Sequence, residues 1–145
     1  MRGGVALTDI ADEFHTPAYV LDEADFRHRI RHYRATLPGV DVVYAGKSLL
    51  ATAVARWVAE EGLGLDVCSG GELATALAGG VDPARIIMHG NAKTPDELHH
   101  ASTVGVGRIV VDSPLEIAFL AGRVRRRQQV LIRVTPSSTS MDITP

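Results

Sequence analysis

The sequence predicts an α/β fold: about the first half of a (β/α)8 barrel, with parallel strands and flanking helices. Three observations carry that reading. Short apolar runs alternate with segments of helical period. The runs begin at a near-constant spacing of a little over twenty residues. They also lack apolar–polar alternation, as parallel strands covered by helices do. No G-x-G-x-x-G follows the first strand of the repeat, which weakens a dinucleotide-binding sheet against the barrel.

Each element has its own local signal. Ala18 to Leu21, opened by Thr16-Pro17, reads as a strand. Asp22 reads as a helix N-cap with Glu23 and Asp25 in the first turn. Phe26, Ile30, Tyr33 and Leu37 then mark one helix face, and Leu37-Pro38-Gly39 ends it. The repeat comes next: strand Asp41–Ala45, helix Leu49–Glu60, strand Leu65–Val67, and helix Glu72–Ala78 closed by Gly79-Gly80. It continues with strand Arg85–Met88, helix Pro95–Val104, strand Arg108–Val111, helix Pro114–Arg125 and strand Val130–Val134. Thr94-Pro95-Asp96-Glu97 and Ser113-Pro114-Leu115-Glu116 each combine a capping hydroxyl, proline at the first helical position and glutamate at the third.

These elements divide the chain into an N-terminal tail (1–15), the barrel portion (16–134) and a small-polar tail (135–145), expected to be disordered or divergent. A closed barrel takes eight units and roughly 250 residues, and this chain supplies about half of them. The expectation is a fragment, or a chain whose open edges need a cover.

Composition excludes several classes of function. Of 145 residues, 46 % are hydrophobic, too many for a disordered chain. Lys plus Arg number 15 against 17 Asp plus Glu, a net charge of −2 that argues against a nucleic-acid coat. The one cysteine, Cys68, allows no intrachain disulfide and points to a reducing, cytoplasmic setting. Leu49 to Ala59 is too short for a membrane span and carries Arg56, and Met1 to Phe14 lacks the apolar core of a signal peptide.

Barrel enzymes carry their chemistry at the C-terminal ends of the strands. There this sequence places Gly46 and Lys47; Asp66, Cys68, Ser69 and Glu72; His89, Asn91 and Lys93; Asp112; and Arg133. Lys47 follows a run that should be buried, so its amine is expected in the barrel mouth, desolvated and able to condense with an aldehyde. On spacing alone, an ordinary surface lysine is the commoner case. Asp66 and Glu72 flank the Ser69-Gly70-Gly71 turn, where a helix cap and a first-turn glutamate are the plain alternatives. Arg133, on an apolar strand, is expected to be buried and paired. Cys68 reads as a small buried residue rather than a nucleophile. His99 and His100 lie away from the rim, and no spacing suggests a metal site. Arg123, Arg125, Arg126 and Arg127 read as a solvated helix end.

Taken together, the chain resembles the N-terminal part of the diaminopimelate decarboxylases, pyridoxal-phosphate enzymes with an alanine-racemase-like barrel. The stretches that carry the resemblance run in order. They are Thr16 to Val20, Tyr44-Ala45-Gly46-Lys47-Ser48, Leu65 to Leu73, His89 to Thr94, Val110 to Ser113, and Val130 to Val134. The resemblance implies pyridoxal 5′-phosphate as cofactor, with Lys47 as its covalent anchor. It implies Asp66 and Glu72 as carboxylates near the cofactor, Arg133 as an arginine below the ring, and His89 with Asn91 lining the mouth. It further implies decarboxylation of meso-diaminopimelate to L-lysine, a small amino-acid substrate and a homodimer. Asn91-Ala92-Lys93-Thr94 departs mildly from the family's Asn-Asn-Lys-Ser, and Ser137 to Pro145 does not match the family's continuation. The family's ring-stacking histidine, glycine-rich phosphate loop and pyridine-nitrogen acid find no match in this chain, so little activity is expected of it alone. Two alternatives stand beside this reading: a non-catalytic partner of a full-length decarboxylase, and a related ornithine or arginine decarboxylase.

Overall fold

A computed structural model describes residues 3–124 and 127–134. The tail at 135–145 and the arginines at 125 and 126 lie outside them.

Five parallel strands run in sequential order: β1 (Val43–Ala45), β2 (Gly64–Val67), β3 (Ile86–Met88), β4 (Arg108–Val111) and β5 (Val130–Ile132). Between them lie α3 (Thr52–Glu60), α4 (Gly70–Ala78), α5 (Pro95–Val104) and α6 (Pro114–Ala121). The register pairs Tyr44 with Leu65, Leu65 with Ile86, Met88 with Ile109 and Val111 with Ile132. In β2 to β4 one face is fully enclosed: Leu65, Val67, Ile86, Met88, Ile109 and Val111 join Val54, Val58, Leu73, Ala76, Leu98 and Ala101 from the helices in one core. The opposite face carries Asp66, Ile87 and Val110, which are only half-buried. Helices therefore cover one face of the sheet, not both. The absence of alternation in the sequence reflects an apolar interior face that stands open among the described residues.

Capping chemistry sets the helix starts. Asp22 accepts the Asp25 N–H and opens α2 (Glu23–Thr36). Thr94 forms a complete capping box with Glu97, and α5 keeps its expected bounds. Ser113 accepts the Glu116 N–H at 3.2 Å, yet α6 stops at Ala121, short of the expected Arg125, with Gly122 as its C-cap. Helix α3 starts at Thr52 because Gly46–Ser48 form a separate 3-10 turn, held by Ser48 Oγ donating to the Ala45 carbonyl.

The N-terminal region differs most from expectation. Ala18 to Leu21 is not a strand; Tyr19, Val20 and Leu21 are exposed, and no strand among the described residues pairs with them. The tail at 1–15 contains an unexpected helix, α1 (Leu7–Phe14), none of whose residues is buried. On α2, only Ile30 of the expected stripe is buried, and Tyr33 and Leu37 stay exposed. Phe26 packs edge-on to Tyr44 and tilted on Trp57, with ring centres 5.5 and 5.8 Å apart. Arg27 ties α2 to the end of α3 through Glu60 and Glu61.

Candidate functional site

The strand register assembles the site. Ala45 pairs with Asp66 and Asp66 with Ile87, so the Gly46-Lys47 turn, the β2 end and the β3 end meet on one rim. Gly46 is buried because that approach is close: a Cβ there would lie 2.8 Å from the Asp66 carbonyl oxygen. A side chain at this position would force the Gly46 turn or the Asp66 backbone to shift.

Asp66 is the point on which the rim converges. Its Oδ2 stands 3.2 Å from Nε2 of His89. Burial pushes its carboxyl above the usual aspartate range, opposed by the charges of His89, Lys47 and Arg133 and reinforced by that of Glu72. Four of the residues singled out in the sequence, Lys47, Glu72, His89 and Arg133, thus bear on the fifth, Asp66. Their exposure departs from expectation in two places. Lys47 is exposed rather than sheltered, because β1 is an end strand and nothing described stands across the mouth. Arg133 is paired, its Nη1 3.2 Å from Asp112, but its side chain is 43 % exposed because β5 is the opposite end strand. Asn91 is exposed.

Glutamates near the starts of α4, α5 and α6 hold the rim loops. Glu72 accepts the Cys68 N–H at 2.7 Å. Glu97 accepts the Thr94 N–H at 2.8 Å and reaches across to the Gly70 N–H at 2.7 Å. Glu116 accepts the Asp112 N–H at 2.7 Å. Glu72 and Glu116 reach the residue before the N-cap, so each fixes the backbone between a strand end and its helix. Burial, then the Glu72 carboxylate, pushes the Cys68 thiol up, which suits a small packed residue and not a nucleophile. Glu97 is held below the usual range by its backbone donors.

Sequence reasoning missed one feature. Lys93 and Glu116 form a buried ion pair, 3.0 Å between Nζ and Oε1, with side chains 0 % and 7 % exposed. Glu116 is legible only as a capping-box residue, and no local pattern joins the two across 23 positions.

The donor set suits an aldehyde cofactor. The sequence has 2 lysines, Lys47 and Lys93; one amine is open on the rim and the other is enclosed. Three further atoms, His89 Nε2, Asp112 Oδ1 and Glu116 Oε1, are buried without a hydrogen bond, although each faces a charged partner. Among the described residues no group of three His, Cys, Asp or Glu could hold a metal ion, and no helix is long and apolar enough to cross a membrane.

Comparison with known proteins gives the family and the fold. Residues 23–143 match the family described as "Pyridoxal-dependent decarboxylase, pyridoxal binding domain". The chain is 52 % identical over 136 residues to the diaminopimelate decarboxylase of Actinosynnema pretiosum, covering 94 % of this chain and 31 % of that one. In solved structures it superimposes on an Aquifex aeolicus protein with TM-score 0.86 at 34 % identity, covering 93 % of this chain and 35 % of that one. It also superimposes on the diaminopimelate decarboxylase from M. jannaschii in co-complex with L-lysine, with TM-score 0.76 at 27 % identity, covering 89 % of this chain and 32 % of that one. The chain thus spans about a third of the length of these relatives. Its five-stranded sheet with flanking helices is a partial (β/α)8 barrel.

Proposed function

The chain belongs to the pyridoxal-dependent decarboxylases, through the pyridoxal binding domain, and from that membership we propose that it serves the decarboxylation of meso-2,6-diaminopimelate to L-lysine, with pyridoxal 5′-phosphate held at Lys47. The observation that carries the reading is the contrast between the two lysines: Lys47 alone is open, on the rim that converges on Asp66. When bound, pyridoxal phosphate supplies an aldehyde that captures amines and a ring that accepts the electron pair left as carbon dioxide departs.

The residues present divide the remaining work. Nζ of Lys47 tethers the cofactor and can carry a proton at the rim. Asp66 and His89 face each other on the interior face, with Nε2 of His89 3.2 Å from the carboxylate. Arg133, oriented by Asp112, presents a cation to the same face. Glu72 holds the β2–α4 loop in place. The substrate is a small amino acid, and the working unit we propose is a cytoplasmic homodimer that engages neither nucleic acid nor membrane.

The test is reductive trapping. The chain is incubated with pyridoxal phosphate, reduced with borohydride and mapped by peptide mass. One adduct at Lys47, absent from Lys47→Ala, is expected; an adduct at Lys93, or none, overturns the site. The substrate is read by carbon dioxide release from meso-diaminopimelate against ornithine and arginine, using the protein as its gene encodes it. Release from ornithine or arginine alone overturns the assignment.

A further inference from the structure

Lys93 has no role in the chemistry above, yet it is the most completely enclosed charge on the rim. Its side chain is 0 % exposed. Nζ donates to the Gly90 carbonyl and stands 3.0 and 3.3 Å from the two oxygens of Glu116. Gly90 follows His89, whose imidazole meets Asp66. Glu116 accepts the Asp112 N–H, and Asp112 holds Arg133. One side chain therefore joins the β3–α5 loop, through Glu116 of α6, to the β4–α6 loop, and each loop carries one of the rim's titratable groups, His89 and Asp112.

Stability does not explain such a pair. Burying two opposite charges roughly breaks even against apolar side chains of the same volume. The sequence uses arginine for 13 of its 15 Lys and Arg positions. At this one an ammonium fits the space between a carbonyl and a carboxylate, where a planar guanidinium has a different shape and donor geometry. Gly90 has φ +107°, a backbone conformation open to glycine, and a Cβ there would lie 3.3 Å from the Cys68 carbonyl. The loop can take this form, and the side chain that holds it is its own Lys93, through the Gly90 carbonyl.

We propose that the Lys93–Glu116 pair is a buried strut that positions the rim, setting His89 against Asp66 from one loop and the Asp112–Arg133 pair from the other. Lys93 is a positioning residue. That role in cofactor binding rests on the rim being the pyridoxal phosphate site; the strut itself does not.

The test uses the chain without cofactor first. Lys93→Met alone strands a buried carboxylate and can fail to fold, so the decisive variant is K93M/E116Q. It removes both charges but keeps an amide oxygen to accept the Asp112 N–H. Unfolding should stay cooperative, while hydrogen exchange of the His89 amide, held by the Val67 carbonyl, rises roughly tenfold or more over that of α3 and α4. The His89 ring resonances should shift as the ring leaves Asp66. Exchange rising evenly through all helices, or unchanged at the His89 amide, overturns the strut. Pyridoxal phosphate titration is then added, with affinity expected to fall roughly tenfold; undiminished affinity in a variant with a loosened loop overturns the positioning role. Failure of the site itself shows separately, as the absence of a Lys47 adduct in the unsubstituted chain.

Discussion

Oδ2 of Asp66 stands 3.2 Å from Nε2 of His89, on the face of the sheet where the charges of Lys47 and Arg133 also bear on that carboxylate. Asp66 is thus half-buried among cations and still titrates above its ordinary range, because burial outweighs them.

A carboxyl raised in the folded state binds its proton more tightly there than in the unfolded chain. Its stabilising contribution is complete below the unfolded aspartate range and is lost as pH rises through the raised titration. Asp66→Asn removes that dependence. Denaturant unfolding across pH should show the parent losing stability relative to the variant over that window, by less than about 1 kcal/mol because the group keeps contact with water. Parallel curves would count against the raised titration.

Lys47→Ala should leave the unfolding midpoint nearly unchanged, within about 0.5 kcal/mol, because the side chain is exposed. It should abolish the borohydride-trapped adduct. Calorimetry and peptide mass together separate loss of function from loss of fold.

Gly46→Ala should do both kinds of damage. The added carbon meets the Asp66 carbonyl oxygen at 2.8 Å, and backbone must move to relieve it. A loss of about 1–3 kcal/mol is expected, together with a lower adduct yield at the neighbouring Lys47. Equal stability in the two chains would show that β1 and β2 can part at this point without cost.

Thr94→Ala removes one half of the α5 capping box and should destabilise by about 1 kcal/mol. Glu97→Gln tests the other half through pH. Glu97 is depressed by its backbone donors, so its contribution is present above the unfolded glutamate range and is lost as pH falls through the depressed titration. The variant should lie below the parent at neutral pH and converge with it in acid, measured by denaturant midpoints.

What the sequence discloses depends on the range of the interaction involved. Helix α5 and strand β4 match their expected bounds because Thr94, Pro95, Glu97 and Gly105 act within one or two turns. Ala18 to Leu21 has a strand's composition, but a strand needs a neighbour, and no local pattern supplies one. Helix α1 has a legible stripe in Leu7, Ile10, Ala11 and Phe14, spaced i, i+3, i+4 and i+7, but the acidic residues between them obscure it. The rim is legible as a set of strand ends. The exposure of Lys47 is not, since it depends on what crosses the mouth, and the Lys93–Glu116 pair is not, since it joins distant turns.

The glutamate contacts near the starts of α4, α5 and α6 have a consequence for molecular recognition. Cys68, Gly70, Thr94 and Asp112 already have acceptors for their amides in the protein alone. The conformational freedom of these loops is surrendered when the chain folds, not when a ligand arrives. Association with a preorganised surface of this kind proceeds with little rearrangement, so the ligand keeps more of its contact energy as affinity.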